Sequence, residues 1–334
     1  MLGEIETGTY KQLPKCTFKQ FTDIWLRDYK GKYLKLKRST TSLFKDIIER
    51  LLIPAFSDVQ ISDIGTWHLQ AYVTSRATKV SANTVRNELT VIKLIFKYAF
   101  KWGYIKGNPT EGVDRPEIPK PEIEVLSPDE LEKLVQKAEK PYRTAFLTAF
   151  LTGMRAGELW GLKWSDIDWN SKFIHVRRAL WKGQFQPPKS KHAIRKIDIS
   201  DSLIQKLKQW KLTCPISEHA LVFPSPEGRL SIHENVVKRH FNPALRRAGL
   251  RQVSFHSLRH SNASMRIRAG QNIKYIQTQL GHASISVTMD IYGHLFEDAK
   301  FNRQQVELLE QSFRSVRNPL ENPLKSEKRK AANG

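Results

Sequence analysis

The second half of the sequence collects arginine, histidine and tyrosine in short clusters. Arg155 and Glu158 lie in LTGMRAGELWGLKWSDID, His256, Arg259 and His260 in HSLRH, His282 in LGH, and Tyr292 in MDIYGHL. Guanidiniums offer paired donors to anionic oxygens, imidazoles exchange protons near neutral pH, and a phenol becomes a nucleophile once its proton is removed. His256 and His260 are four apart on a predicted helix, the spacing zinc proteases use. The glutamate of HExxH is absent, Ser257 takes its place, and Arg259 would set a cation beside the ion, so no metal site is expected. Taken singly, an arginine such as Arg155 is more often a surface ion-pair partner and a tyrosine such as Tyr292 more often packing. Weight comes from their conjunction in one basic domain.

These segments resemble the tyrosine recombinase (phage integrase) family of site-specific recombinases. LTGMRAGELWGLKWSDID is similar to the first arginine box, HSLRH and LGH to the boxes that follow, and MDIYGHL to the segment holding the nucleophile. PPKSKHAIRKI is similar to the hairpin that carries a catalytic lysine. The resemblance implies a catalytic set of Arg155, Lys189, His256, Arg259, His282 and Tyr292 as nucleophile, supported by Glu158. The types suit phosphoryl chemistry. Two guanidiniums can hold the non-bridging oxygens of a pentavalent phosphorus, and a phenol of pKa about 10 needs a base or a positive field. His256 is the expected base, and His282 the expected donor to the phosphate. Lys189 is the expected general acid for the leaving 5′ oxygen. Lys191, two residues on and on the same side of a strand, is its alternative.

The implied product is a 3′-phosphotyrosine with a free 5′-hydroxyl, reversible without ATP, metal or any other cofactor. The implied partners are double-stranded DNA attachment sites, a homotetramer on paired sites, a host DNA-bending protein and a directionality factor. Integration or excision of a phage or other mobile element follows. Two alternatives stand beside this reading: a catalytically silent sequence-specific DNA-binding protein, and a type IB topoisomerase-like enzyme. A metal-dependent nuclease is a third, which chelation would reveal.

The net charge of +22 supports a polyanionic partner. Residues 1–120 hold 20 Lys and Arg against 12 Asp and Glu, a net +8, and the rest carries +14, so both halves are basic. With no long apolar run, a membrane partner is not expected. Cys16 and Cys214 match neither a disulfide framework nor a CxxC pair, and the polar N-terminus lacks a signal-peptide pattern, so a cytoplasmic location is expected.

A chain of 334 residues exceeds what a single hydrophobic core usually holds, so about two domains are expected. Residues 1–16 are a short leading segment, shorter than the arm-site domain many such integrases carry. Residues 17–106 read as a helical core-DNA-binding domain. Thr17 caps a helix with Phe18, Phe21, Trp25 and Tyr29. A second helix runs from Leu43 to a stop at Pro54, a third covers Trp67 to Arg76, and a fourth places Val85, Leu89, Ile92, Ile95 and Ala99 on one face. Arg86, Lys93, Lys97 and Lys101 form a stripe on that fourth helix, either a phosphate track or a solvated face. Prolines mark a linker over 107–126.

Residues 127–317 read as the catalytic domain, mostly helical with a small antiparallel sheet. It opens on the capping box Ser127 and Glu130, with expected strands near 172–179, 184–187 and 195–199 and a last helix over 298–313. Lys191, Arg246, Arg247 and Arg251 are further candidate phosphate contacts. His260 and His294 are expected in packing or supporting hydrogen bonds. Residues 318–334 read as a basic disordered tail.

Overall fold

The computed structural model describes residues 13–32, 38–118, 123–187, 191–293, 303, 306–311 and 313. Lys189, His294 and the tail over 318–334 lie outside the described residues, as does the side chain of Lys191. The fold is mostly helical with small antiparallel sheets, as expected, and the chain divides into two compact units, Met1–Pro121 and Glu122–Gly334.

In the first unit, helix α1 (Phe18–Lys32) begins behind Thr17. The Thr17 hydroxyl accepts from the Gln20 N–H at 3.2 Å while Gln20 Oε1 accepts from the Thr17 N–H at 2.9 Å, so two orphan donors are satisfied reciprocally. Phe18, Phe21 and Trp25 point into the core. The expected stop at Pro54 does not occur. Helix α2 (Arg38–Ile47) continues through a π turn, Ile48–Leu52, into α3 (Ile53–Phe56), and the Ile53 N–H reaches back five residues to the Ile48 carbonyl. Proline offers no N–H and crowds the carbonyl four residues back, and a wider turn just before it lets the helix pass.

Helices α4 (Thr66–Ala77) and α5 (Ala82–Lys101) complete the unit, and α5 buries Val85, Leu89, Ile92, Ile95 and Ala99 as its period requires. The two are joined through buried Glu88. Its carboxylate accepts from Arg76 at 2.7 and 2.9 Å and from the Tyr72 hydroxyl at 2.8 Å. Burial, then the bond to Glu88, push the Tyr72 phenol upward.

The second unit opens on α6 (Pro128–Lys137), where the Ser127–Glu130 capping box forms in both directions. Helix α7 (Lys140–Thr152) ends at Gly153, whose φ of 62° is left-handed. A Cβ there would stand 2.7 Å from Leu280 and 2.8 Å from Asn262, so glycine is required twice over. The short α8 (Ala156–Trp160) follows.

The strands are β1 (Ile167–Asp168), β2 (Phe173–Val176), β3 (Ala179–Trp181), β4 (Gln184–Gln186) and β5 (Arg195–Asp198). They form two sheets rather than one: β1-β2-β5, with Ile174 opposite both Ile167 and Ile197, and the hairpin β3-β4. The expected strand over 172–179 is broken at Arg178, which turns to pair with buried Asp166.

Helix α9 (Asp201–Thr213) leads to α10 (His233–Val236), a second π turn (Val237–Phe241) and α11 (Asn242–Arg247), so Pro243 is passed as Pro54 is. Helices α12 (Ser257–Arg268), α13 (Ile273–Leu280) and α14 (Ile285–Tyr292) close the described fold. Phe146, Trp160, Phe223, Phe241 and Phe255 lie in the main core, while Ala263, Ile267, Ile276, Leu280 and Tyr292 make a smaller cluster. Of the helix expected over 298–313, the described residues 303, 306–311 and 313 are helical, with Val306, Leu309 and Phe313 exposed. No helix among the described residues is long and apolar enough to cross a membrane.

Candidate active site

The last turn of an α-helix leaves carbonyls without N–H partners, and its dipole makes them a seat for cations. At the end of α13 three guanidiniums use that seat. The carbonyl of Gln279 accepts from Arg195 Nε at 2.7 Å, that of Leu280 from Arg259 Nη2 at 2.7 Å, and that of Gly281 from Arg155 Nη2 at 3.3 Å. Gly281 caps the helix in the left-handed region, φ 66°, and a Cβ on it would lie 2.9 Å from the Arg195 side chain. Arg259 also donates through Nη1 to the carbonyl of Gly153 at 2.6 Å, which clamps two helix ends together.

Glu158 is the carboxylate that organises this group. Arg155 gives it the backbone N–H and Nη1, both at 3.0 Å, and Arg195 gives it Nη1 at 3.3 Å and Nη2 at 3.0 Å. Burial would raise Glu158, but Arg195 and then Arg155 outweigh it and hold the carboxyl below its ordinary value. Arg195 is buried, with donors going to Glu158 and to the Gln279 and Ala193 carbonyls, so it organises the site from behind. Arg155, with 31% of its side chain exposed, opens outward. For Arg259, burial and then Arg155 and Arg195 push the pKa down from the usual arginine value, which marks a cation that an arriving anion would stabilise. Three guanidiniums against one carboxylate leave the cluster positive.

His282 follows Gly281 directly. Its Nδ1 lies 2.8 Å from Thr288 Oγ1, and its backbone is bracketed by Gln277, which accepts from the His282 N–H and donates to its carbonyl. Burial, then Arg259, Arg155 and Arg195, bring His282 down to about 3. His256 stands at the start of α12, open to solvent on one side. Desolvation on its inner side, then His260 and Arg259, bring it down to about 4.

Tyr292 ends α14 with its ring in the small apolar cluster, 1% exposed. Its hydroxyl lies 2.6 Å from Nδ1 of His260, not from His256. Burial raises the phenol to about 12, with Arg259 acting in the opposite sense. The rings of His256 and His260 meet edge-on with centroids 4.8 Å apart. Among the described residues no group of three or more His, Cys, Asp or Glu could hold a metal ion.

The structure therefore brings Arg155, Glu158, Arg259 and His282 into one linked network, with His256 beside it and Tyr292 on His260. Lys189 lies outside the described residues. Arg195, Thr288 and the contact of His260 with Tyr292 were not singled out in the sequence. Arg195 had a signal: it shares the inward phase of β5 with Ile197, where a strand facing a core carries apolar residues. Of the other cations, Lys97, Lys101 and Arg246 are exposed and Arg86 and Lys93 half-buried. Arg247 donates to the Lys137 carbonyl and pairs with Glu139, and Arg251 binds Glu130 and the Val125 carbonyl, so both fasten the domain internally.

The histidine shifts make a stability prediction. A His282 of pKa about 3, against an ordinary 6.5, means that the unfolded chain binds more protons between those values. The stability it supplies is complete above the ordinary value and is lost as pH falls toward the folded one. His256 acts in the same sense. Thermal midpoints are expected to fall between about pH 7.5 and about pH 5, before carboxylates of ordinary pKa about 4 titrate. A flat profile over that range would contradict the neutral assignment.

The profile of the phage integrase family matches residues 124–298, and that of the phage integrase N-terminal SAM-like domain matches residues 17–77. A tyrosine recombinase XerC-like protein of Caldanaerobacter subterraneus subsp. tengcongensis is 32% identical over 255 residues, 66% of this chain and 65% of that protein. The ICEBs1 integrase of Bacillus subtilis is 29% identical over 235 residues, 66% of this chain and 63% of its own length. The match thus spans just under two thirds of each relative. Among solved structures, the Tn1549 transposon integrase in complex with a circular intermediate DNA superposes with a TM-score of 0.74 over 88% of this chain and 99% of that one, at 19% identity, a likeness of fold. With its family profile covering more than half of the sequence, the chain belongs to the phage integrase family of tyrosine recombinases.

Proposed function

We propose that this protein is a site-specific DNA recombinase that cleaves and rejoins strands through Tyr292 and serves the integration or excision of a mobile element. The observation that carries the reading is the guanidinium cluster on the α13 carbonyls. Arg155 and Arg259 are held before any anion arrives, so little reorganisation accompanies charge development on a phosphate. Glu158 and Arg195 fix that arrangement from behind, and His282 supplies a neutral donor next to it.

In this reading the Tyr292 oxygen bonds to phosphorus as its proton passes to a histidine, either His256 or His260, whose Nδ1 lies 2.6 Å from the hydroxyl, and the P–O5′ bond breaks. The 5′ oxygen takes a proton from Lys189, or from Lys191. The phosphotyrosine keeps the ester linkage, so a 5′-hydroxyl from another strand can reverse the step without ATP, and the guanidiniums supply the charge that a metal ion would otherwise bring. Exchange between two duplexes breaks four strands, one nucleophile for each, which supports a tetramer on paired sites. The exposed Val306, Leu309 and Phe313 give a neighbouring copy an apolar edge to bind. We assign residues 17–106 to core-site binding, with Lys97 and Lys101 facing phosphates, and residues 127–317 to catalysis. A host DNA-bending protein and a directionality factor complete the partners, and the DNA substrate supports a cytoplasmic location.

The test is covalent trapping. The full chain is incubated, with chelator and without ATP, with duplex DNA carrying the element's attachment site and a nick beside the cleavage position, then run on a denaturing gel. A protein–DNA band that survives denaturation is expected. Tight binding to a confirmed site with no such band would replace this reading with a DNA-binding protein. Cleavage that stops on chelation would replace it with a metal-dependent nuclease. Strand exchange between two duplexes, rather than relaxation alone, separates recombinase from topoisomerase.

A further inference from the structure

Helix α14 carries two buried hydroxyls on one face, Thr288 and Tyr292, which lie one turn apart. Each meets a histidine Nδ1: Thr288 Oγ1 at 2.8 Å from His282 and Tyr292 Oη at 2.6 Å from His260. Thr288 and Tyr292 are also the buried residues of this helix, since Ile285, Val287 and Met289 are exposed. Two hydroxyl–imidazole bonds thus fasten the segment that holds Tyr292, beside the packing of the Tyr292 ring in its apolar cluster.

The direction of the first bond follows from satisfaction of buried groups. Thr288 is 0% exposed, and among the described contacts its hydroxyl proton has one acceptor, Nδ1 of His282. A buried hydroxyl that instead accepted from an Nδ1–H would leave its own proton unpaired, which is costly. Nδ1 is then the acceptor, and a neutral imidazole that accepts at Nδ1 carries its hydrogen on Nε2.

We infer that Thr288 is a positioning residue for the DNA-cleaving reaction. It fixes His282 in the tautomer whose Nε2–H can donate to a phosphate oxygen, and it ties that donor to the helix that ends in Tyr292. The inference rests on the proposed role of His282 as phosphate donor. The surroundings of His282 reinforce it. Arg259, Arg155, Arg195 and His256 all disfavour a second proton on the ring, so before DNA arrives its donor is set by tautomer and not by charge. The coupling also has a mechanical side: whatever moves His282 toward a phosphate pulls on the helix that bears the nucleophile.

The experiment compares Thr288→Val, Thr288→Ser and His282→Ala in the full chain. It reads single-turnover cleavage of the nicked attachment site and the long-range nitrogen–proton spectrum of selectively labelled histidine rings. The His282 signals are those lost in His282→Ala. The parent and Thr288→Ser are expected to show the Nε2–H pattern and to cleave within about twofold of each other. Thr288→Val is expected to lose that pattern and about tenfold or more in cleavage, the usual scale for removing the partner that orients a site histidine.

An Nδ1–H pattern in the parent protein overturns the inference without reference to any variant, even if Thr288→Val does not fold. Parent-level cleavage by Thr288→Val also overturns it. Parent-level cleavage by His282→Ala points instead to failure of the role given to His282. A slow His282→Ala beside a fast Thr288→Val isolates the failure to Thr288.

Discussion

Tyr292→Phe is expected to remove covalent attachment to DNA, with cleavage lower by more than ~10⁴-fold, an effect above about 5 kcal/mol in the activation barrier. The substitution keeps the ring that fills the pocket made by Ala263, Ile267, Ile276 and Leu280 and deletes the one atom that can bond to phosphorus. The variant also leaves His260 Nδ1 without its hydroxyl, so a shift in thermal midpoint of a few degrees is expected alongside it. Non-covalent affinity for the attachment site should stay within about threefold, since a buried phenol adds no charge to phosphate binding. A denaturation-resistant adduct in Tyr292→Phe would move the nucleophile elsewhere. With the hydroxyl buried on His260 and its pKa raised to about 12, the phenol is protonated in the free protein at neutral pH.

Much of this was legible in the sequence wherever a local rule decides the outcome. The Ser127–Glu130 box, the Thr17 cap and the apolar period of α5 depend on residues a few positions apart, and each forms as its spacing requires. The readings that failed did so where distant residues decide. Pro54 reads as a stop, yet the tertiary contacts of Ile48, Leu52 and Phe56 keep the helix going through a π turn. One expected strand became two because Arg178 answers buried Asp166. At the site, the sequence showed which chemical types were present but not what holds them. The seat of Arg155, Arg195 and Arg259 is three backbone carbonyls, and no residue type announces an orphan carbonyl. His256 reads as the base and His260 as packing or a supporting hydrogen bond, yet the end of α14 places the Tyr292 hydroxyl on His260.

Arg259 is the residue whose loss should cost the most after Tyr292. Its two Nη groups lie on the carbonyls of Gly153 and Leu280, at 2.6 and 2.7 Å, so its position is fixed by two helix ends. Removing one such preorganised donor of developing charge typically costs ~10² to 10³ in rate, and a charged one in a buried setting belongs at the upper end. Arg259→Ala is therefore expected to cleave ~10³-fold more slowly while binding DNA less than about tenfold more weakly, because a chain of net charge +22 has many other cations to offer a polyanion. Arg259→Lys should recover little of this. An ammonium is a single point with no planar fork, so it cannot reach both carbonyls and still present paired donors to a phosphate. Arg155→Lys should be milder, since Arg155 is half-open and its backbone N–H to Glu158 survives any side-chain change. If Arg259→Lys cleaves as well as the parent, the bidentate geometry is not what stabilises the phosphate, and positive charge alone would account for the cluster.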